Sequence, residues 1–382
     1  MTTDAKAGLL AILRDGGART RAELVEMTGL ARSTVAGRLD VLLSERWIVP
    51  QREAVASGGR PATAFAFNPG AKLALSADLG VTHARLAVAD LNAAIIAESS
   101  AEIAVVQGPR SVLGWVIETA SELLSGLGRD LTDLCGVGVG LPGPAEHETG
   151  RPVSPPVMPG WNGFDVVRHL HDALGAPVLV DNEVNMMALG EHRATAPAVD
   201  QLMFVKHGTG IGGGVITDGQ LHRGAQGAAG DIGHVRAASA PDDLVCACGN
   251  IGCLEALAGG AVLAGRLREL GENARGARDV ARLVRAGHDD AVRLDRQAGR
   301  DVGEVLAGLV NFLNPTAIVL GGDLSRAGEH LLAGIRETVY RRSLPLATQH
   351  LQIRASGLGE RAGVVGGAVM VVENALAGTS LG

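Results

Sequence analysis

The sequence predicts an α/β body over residues 71–382, preceded by a small helical domain with a hairpin wing over residues 1–70. The chain has 382 residues and is 46% hydrophobic, which is enough to bury more than one core. From Leu73 onward, short apolar runs alternate with helical stretches, as in α/β proteins. The first 70 residues instead combine short helical patterns with two apolar runs that flank a glycine-rich turn.

The body contains apolar segments of strand length and longer segments with helical periodicity. The strands are expected at 73–79, 84–90, 95–100, 135–140, 178–180, 202–206, 212–216 and 317–320. The helices are expected near 110–127, 184–193, 254–270, 290–313, 324–340 and 361–376.

The small domain begins with an amphipathic stretch from Ala7 to Leu13. Thr20 and Glu23 then have the spacing of a capping box, in which each side chain accepts a hydrogen bond from the other residue's backbone amide at a helix start. The helix that they open is followed by a turn at Gly29 and by a second helix from about Ala31 to Glu45. This order is typical of helix-turn-helix domains, which bind duplex DNA.

The second helix is the candidate recognition helix, because such domains contact bases from its opening turn. The candidate DNA-binding side chains are those able to donate to bases or phosphates: Arg32, Ser33, Thr34 and Arg38. Val35, Leu39 and Leu42 recur at helical spacing and are expected to face the core. A solvated helix face would explain either arginine alone nearly as well.

A wing is predicted from the runs Ile48 to Gln51 and Ala64 to Phe67, which would pair across the loop Ser57 to Pro61. Arg60 in this loop is a candidate contact to a minor groove or a phosphate. A solvated turn is an equally good explanation of Arg60 on its own. Aromatic residues make up only 2% of the chain, which favours duplex DNA over stacking on single strands.

Charge is unevenly distributed between the two parts. Residues 1–70 hold nine Arg or Lys against seven Asp or Glu, whereas the whole chain has a net charge of -7. A basic head on an acidic body suggests a polyanionic partner for the head only. No apolar run approaches the roughly 18 residues of a membrane span, and the start lacks a signal-peptide layout. We therefore expect a cytoplasmic protein with no membrane association.

A cysteine cluster is the strongest chemical signal. Cys246, Cys248 and Cys253 lie within eight residues, and His234 precedes them by a short segment. Three thiolates and one imidazole form the closed donor set that is typical of structural Zn²⁺. Cys135 stands apart in an apolar run and is expected to be a buried core thiol.

Three polar turns follow predicted strands and are candidate ligand contacts. The glycine-rich run Gly208 to Gly214 could direct backbone amides at a phosphate, although such a run is also common in simple hairpins. The turn from Asp78 to Thr82 and the turn from Asp181 to Asn185 deliver polar groups to strand ends, where α/β proteins bind ligands. Asp181 or Asn182 could instead merely cap the following helix.

In order and spacing, these motifs resemble the ROK family of repressors and sugar kinases. The motifs are the helix-turn-helix with its GGRP wing, DLGVT at 78–82, LPGP at 141–144, PGW at 159–161, DNEVN at 181–185, GTGIGGG at 208–214, DIGH at 231–234, CACGNIGCLE at 246–255 and NPTAIVLGGDLS at 314–325. The resemblance implies two actin-like (ribonuclease H-like) lobes with a sugar cleft between them. It also implies a homodimer or homotetramer.

The resemblance assigns residues to that cleft. Those expected to contact a sugar are Asn182, Glu183, Asp231, His234 and Glu255. Those expected on the phosphate side are Asp78, Gly80, Thr82, Gly208, Thr209 and Gly210. Glu183 occupies the position of the catalytic general base, and His234 would bind both the metal and the sugar.

Four positions depart from the catalytic members of the family. Val81 replaces the second glycine of the phosphate turn, where ATP must approach the backbone closely. Glu183 replaces the usual aspartate, and its extra methylene displaces the carboxylate by roughly an ångström. Asp231 replaces a glutamate and Val157 an asparagine on the sugar side.

These features predict a transcriptional regulator, a repressor by resemblance, whose kinase-like body senses a sugar or a sugar phosphate. An ATP-dependent sugar kinase with an added DNA-binding head is the alternative, supported by the intact glycine loop and the carboxylate retained at Glu183. A third possibility is that the cleft is vestigial and the body only dimerises the head.

Overall fold

A computed structural model describes residues 4–52, 63–195 and 199–378. The helices are α1 Asp4–Leu13, α2 Arg21–Thr28, α3 Arg32–Ser44, α4 Pro109–Gly126, α5 Val166–Leu174, α6 Glu183–Ala194, α7 Leu254–Ala258, α8 Gly260–Glu269, α9 Ala277–Arg285, α10 Asp289–Leu313, α11 Glu329–Arg342, α12 Pro345–Thr348 and α13 Ala362–Gly378. The strands are β1 Arg19–Thr20, β2 Ile48–Arg52, β3 Thr63–Phe67, β4 Leu73–Leu79, β5 Ala84–Ala89, β6 Ile95–Ala101, β7 Leu134–Leu141, β8 Ala145–Glu146, β9 Arg151–Pro152, β10 Val178–Asn182, β11 Leu202–His207, β12 Ile211–Thr217, β13 Gln220–His222, β14 Ala317–Gly321 and β15 Gln352–Ala355.

The N-terminal elements form three helices beside a small antiparallel sheet of order β1-β3-β2. The predicted capping box is present, since the Thr20 amide donates to the Glu23 carboxylate at 2.7 Å and the Glu23 amide donates to the Thr20 hydroxyl at 3.3 Å. Gly29 ends α2 in the left-handed conformation. The wing strands pair as predicted, with Pro50 opposite Phe65. Arg60 and its loop lie outside the described residues.

The predicted recognition helix is α3. The side chains of Val35, Leu39 and Leu42 are buried, as their spacing predicts. Arg32 and Ser33 are exposed at the start of the helix, and Thr34 and Arg38 are half-buried. The helix therefore presents a polar opening turn away from the core of the domain.

The first lobe is built on a five-stranded mixed sheet of order β10-β7-β4-β5-β6. Alternate residues of β4, beginning with Leu73 and Leu75, pack in one core with α4 and α5. The opposite face of this sheet is covered by α13, where Ser76 and Asp78 face glycines of that helix. Both faces of β4 are thus buried, including its polar residues Ser76 and Asp78.

The second lobe is built on a sheet of order β13-β12-β11-β14-β15. Its main core joins residues of this sheet to α7, α8, α9, α10 and α11. The other face of the sheet packs against α6. Helices α6 and α13 pack closely at Gly190 and Gly366. A side chain at either position would collide with the backbone of the other helix, so glycine is needed at both. This helix pair joins the two lobes.

Two predicted helices are interrupted in the structure. The helix expected at 254–270 is divided into α7 and α8, because Gly260 and Ala261 donate their amides to the carbonyls of Gly208 and Thr209, at 3.0 Å each. The helix expected at 324–340 starts only at Glu329, after Gly328 with φ +147°. Helices α5, α9 and α12 were not predicted, nor were strands β1, β8, β9, β13 and β15.

The N-terminal domain and the first lobe share one hydrophobic core. Leu10 and Leu13 of α1 belong to the same buried cluster as Val369 and Val372 of α13. Helix α13 therefore contacts the small domain, the first-lobe sheet and α6. Among the described residues, no helix has the length and apolar character needed to cross a membrane.

Candidate functional site

A cavity of about 580 Å³ lies between the two lobes. The first lobe contributes the turn after β4, including Val81 and Thr82, and the segment Pro142 to Pro144 after β7. The second lobe contributes the β11–β12 turn and the start of α7. A cavity of this size, lined by a few convergent polar groups, is typical of small-molecule sites.

All residues expected to contact a sugar line this one cavity: Asn182, Glu183, Asp231, His234 and Glu255. They come from strand β10, helices α6 and α7, and the segment between β13 and α7. Val157 also lies on the wall. The sequence resemblance therefore selected residues that the fold brings together from distant parts of the chain.

Two of these residues have structural contacts as well. The Asn182 side chain caps α6 by accepting from the Val184 amide at 2.8 Å, so the capping alternative also holds. The Glu255 carboxylate accepts from the Ile211 amide at 3.1 Å. Asp181 is not on the cavity wall; it is buried and accepts from Arg223 at 2.7 Å.

The carboxylate at the base position is held by a buried ion pair. Lys206 Nζ lies 2.5 Å from Glu183 Oε1, and the two side chains are 13% and 7% exposed. Burial lowers the pKa of Lys206, but the nearby carboxylates of Glu183 and Asp78 raise it above its ordinary value. The ammonium is therefore charged at neutral pH.

The phosphate-side residues are only partly brought together. Thr82, Gly208, Thr209 and Gly210 line the large cavity, whereas Asp78 lines a neighbouring cavity of about 450 Å³ and Gly80 lines neither. The two cavities are neighbours and share Lys206, His83 and Asp323 in their walls. Burial, and then the charge of Glu183, raise the pKa of Asp78 to about 7.

Lys206 is the residue that the sequence reasoning missed. It follows four apolar residues in the strand LMFVKH, two residues before the glycine loop. A single lysine in a strand that is buried on both faces is a signal in itself, because lysine is rarely buried without a partner. Its partner could not be identified from spacing alone.

The predicted metal ligands converge. One donor atom from each of His234, Cys246, Cys248 and Cys253 lies within 4.8 Å of all the others. The Cys248 and Cys253 sulfurs are 3.7 Å apart, and so are the Cys246 sulfur and His234 Nδ1. A tetrahedral site with metal–sulfur bonds of about 2.3 Å would place its sulfurs about 3.8 Å apart. The cluster could therefore hold a metal ion.

The local fold explains this convergence. Gly249 and Gly252 adopt positive φ values of 90° and 76°, which lets the chain turn tightly around the four donors. Because His234 Nδ1 faces Cys246, Nε2 is on the far side of the ring. His234 and Cys246 also line the large cavity, so the metal cluster and the cavity share a wall. In contrast, Cys135 is half-buried, and burial raises its pKa to about 11.

The fold and the cavity define a two-lobed α/β body of the sugar-kinase type with a helix-turn-helix domain at its N-terminus. Residues 74–374 match the family model described as ROK family, so the chain belongs to the ROK family.

Comparisons with individual proteins extend this result. The chain is 28% identical to the xylose repressor of Caldicellulosiruptor bescii, over 96% of this chain and 95% of that one. It is 32% identical to a glucokinase of Halalkalibacterium halodurans, over 67% of this chain and 82% of that one. A solved ROK family transcriptional regulator, a homologue of the Escherichia coli MLC protein, has a TM-score of 0.77 at 24% identity and covers 95% of this chain and 93% of its own. The predicted actin-like fold is confirmed.

Proposed function

We propose that this protein is a sugar-responsive, DNA-binding transcriptional repressor whose kinase-like body is a ligand sensor. One observation carries this conclusion. The similarity to xylose repressors extends over nearly the whole chain, including the helix-turn-helix domain that precedes the family match at residue 74. The glucokinase similarity covers only two thirds of the chain.

Duplex operator DNA is the proposed partner of the N-terminal domain. The exposed opening turn of α3, with Arg32 and Ser33, has the position and the donors that helix-turn-helix domains use in the major groove. In a homodimer or homotetramer, the spacing of two such helices must match the spacing of two half-sites. A sugar that favours one arrangement of the lobes would change that spacing and hence the affinity for DNA.

The metal cluster is proposed to be a structural Zn²⁺ site. Three cysteines and one histidine are the donors that Zn²⁺ prefers, and they leave no open coordination position for substrate. Zinc would fix the orientation of the His234 ring, whose Nε2 could then present a defined hydrogen-bonding group to a sugar hydroxyl. The resident metal would thereby contribute to recognition rather than to chemistry.

A direct test measures binding of the full-length protein to the promoter DNA upstream of its own gene and neighbouring sugar genes. Fluorescence anisotropy should show sequence-preferring binding at moderate salt, and an effective sugar should weaken it at least tenfold. Arg32→Ala should weaken binding, whereas Arg285→Ala, an exposed arginine on α9, should not. Absence of sequence-preferring binding would contradict the proposal.

The kinase alternative is supported by Thr82 and the 208–210 turn, which lie on the same cavity as the sugar-side residues. The buried pair between Lys206 and Glu183 argues against it, since the base must be free to accept a proton. A coupled assay of ADP release over a panel of hexoses, pentoses and amino sugars decides between them. Sustained sugar-dependent turnover would establish the kinase, whereas sugar binding without turnover would support the sensor.

A further inference from the structure

A buried histidine joins the start of the glycine loop to helix α7. His207 is the last residue of β11 and directly precedes this loop. Its side chain is fully buried, and its Nε2 lies 2.8 Å from the Ala258 carbonyl oxygen. Burial lowers the pKa of His207 to about 4, so the ring is neutral at pH 7 and has a single N–H group. Because a carbonyl oxygen only accepts hydrogen bonds, this N–H is on Nε2 and donates to Ala258.

Helix α7 is too short to be stable by itself. It comprises the five residues Leu254–Ala258, and isolated helices shorter than about 12 residues are marginal in water. The surrounding structure must therefore hold its ends. Cys253, one of the predicted metal ligands, immediately precedes its first residue, and the carbonyl of its last residue accepts the hydrogen bond from His207. The metal cluster and His207 thus hold opposite ends of one short helix.

This helix carries one of the sugar-side residues. Glu255 lines the large cavity, and its carboxylate accepts from the Ile211 amide of the glycine loop at 3.1 Å. A side chain at Gly210 would collide with the same carboxylate, so the loop and the helix are in direct contact. A small rotation of α7 would therefore move the carboxylate relative to both the cavity wall and the loop.

Backbone hydrogen bonds extend this junction beyond the end of α7. The amides of Gly260 and Ala261 donate to the carbonyls of Gly208 and Thr209 at 3.0 Å each. These bonds use backbone groups, which residues of many kinds could supply. The bond from His207, in contrast, depends on the identity of a side chain. Substitution of His207 is therefore a way to weaken the hold on α7 selectively.

From this geometry we infer that His207 is a positioning residue for ligand recognition: its hydrogen bond to Ala258 fixes α7, which in turn fixes the Glu255 carboxylate on the cavity wall. His207 is not among the described residues that line the cavity, so it acts without touching the ligand. The inference rests on the sensing function proposed above and adds a residue to it. A histidine that only fills the core could be replaced by a side chain of similar volume, whereas a positioning residue needs its donor.

Three substitutions separate the hydrogen bond from the volume of the ring. His207→Phe keeps a planar ring but removes the donor. His207→Gln places an amide N–H near the position of Nε2, whereas His207→Asn carries the same amide on a shorter side chain that cannot reach Ala258. The matched control is Val205→Ala. Val205 is fully buried on the same face of β11, two residues earlier, and its truncation lowers stability without removing a hydrogen bond.

The test measures sugar affinity by calorimetry on the full-length wild type and the four variants, over a panel of hexoses, pentoses and amino sugars. For the sugar that the wild type binds most tightly, His207→Phe and His207→Asn should each weaken binding about tenfold or more, because the Ala258 carbonyl loses its donor. His207→Gln and Val205→Ala should bind nearly as tightly as the wild type. Zinc content by elemental analysis should be equal in all these proteins, because the four donor residues lie outside α7 and β11.

Hydrogen exchange gives a second readout that does not require a sugar. The backbone amides of residues 254–261 should exchange faster in His207→Phe and His207→Asn than in the wild type, because α7 is held less firmly. In His207→Gln and Val205→Ala, the exchange of this segment should match that of the wild type. If His207→Phe fails to fold, the comparison of His207→Gln with His207→Asn still decides the matter, since the two variants differ only in reach.

The results that overturn the inference differ from those that overturn the sensing function. If His207→Phe binds sugar as tightly as the wild type, or His207→Gln binds it as weakly as His207→Asn, the hydrogen bond does not position Glu255 and the inference is wrong. If Val205→Ala loses as much affinity as His207→Phe, lost stability explains the effect, and the inference is again wrong. If the wild type binds no sugar and its DNA binding responds to none, the sensing function is wrong, and the inference fails with it.

Discussion

Removing the ammonium of Lys206 should destabilise the body, because the Glu183 carboxyl group would stay in a buried site without its cationic partner. We consider Lys206→Met, which preserves most of the side-chain volume. Glu183 is only 5% exposed, so little of the lost interaction is recovered from water. Breaking a buried ion pair from one side costs about 3–5 kcal/mol. For a lobe-sized unit, each kcal/mol lowers Tm by about 2–4 °C.

The measurement is urea unfolding of the wild type, Lys206→Met, Glu183→Met and the double variant. The double variant should recover most of the free energy of unfolding that Lys206→Met loses, because replacing a whole buried ion pair by apolar residues often leaves stability unchanged. Lys72→Met is the control, since the Lys72 ammonium makes a neutral contact, to the Thr132 carbonyl at 3.0 Å. A Lys206→Met protein within about 1 kcal/mol of the wild type, or a double variant as unstable as the single one, would refute this reasoning.

Two further predictions concern the metal cluster and a buried acid. Cys248→Ser should remove the stoichiometric zinc measured by elemental analysis, and with it the response of DNA binding to sugar. The control Cys135→Ser should retain both the zinc and the response. Zinc retained in Cys248→Ser would disprove the proposed set of ligands. Burial raises the pKa of Asp295 to about 7, so the contribution of this carboxyl group to stability should be lost as pH rises from about 4 to 7, because the unfolded chain ionises first. Asp295→Asn should remove this pH-dependent contribution. The measurement is the free energy of unfolding by urea at pH 4.5 and at pH 8 for both proteins. An equal change between the two pH values in both proteins would contradict the prediction.

Local signals made much of the fold and the metal cluster predictable. The capping box of Thr20 and Glu23 depends on residues three apart, and the cysteines of the metal cluster lie within eight residues. Such features are determined by short-range geometry, which a sequence displays directly. The convergence of the sugar-side residues was predictable only through the family resemblance, because Asn182 and Glu255 come from different lobes.

Features that depend on tertiary contacts were not predictable. The pattern over 254–270 is helical, yet the amides of Gly260 and Ala261 bond to the glycine loop and interrupt the helix. Likewise, Lys206 and Glu183 come from separate elements, so no spacing reveals their pairing. In both cases, contacts between distant segments decide the local structure.

The shared core between the small domain and α13 limits how such a protein can be recombined. Because Leu10 and Leu13 pack against Val369 and Val372, near the opposite end of the chain, the head cannot be exchanged as an independent cassette. A chimera that borrows a head from another regulator would also need the matching face of the C-terminal helix. A chimeric biosensor built on this scaffold should therefore take its N-terminal domain and its C-terminal helix from the same donor protein.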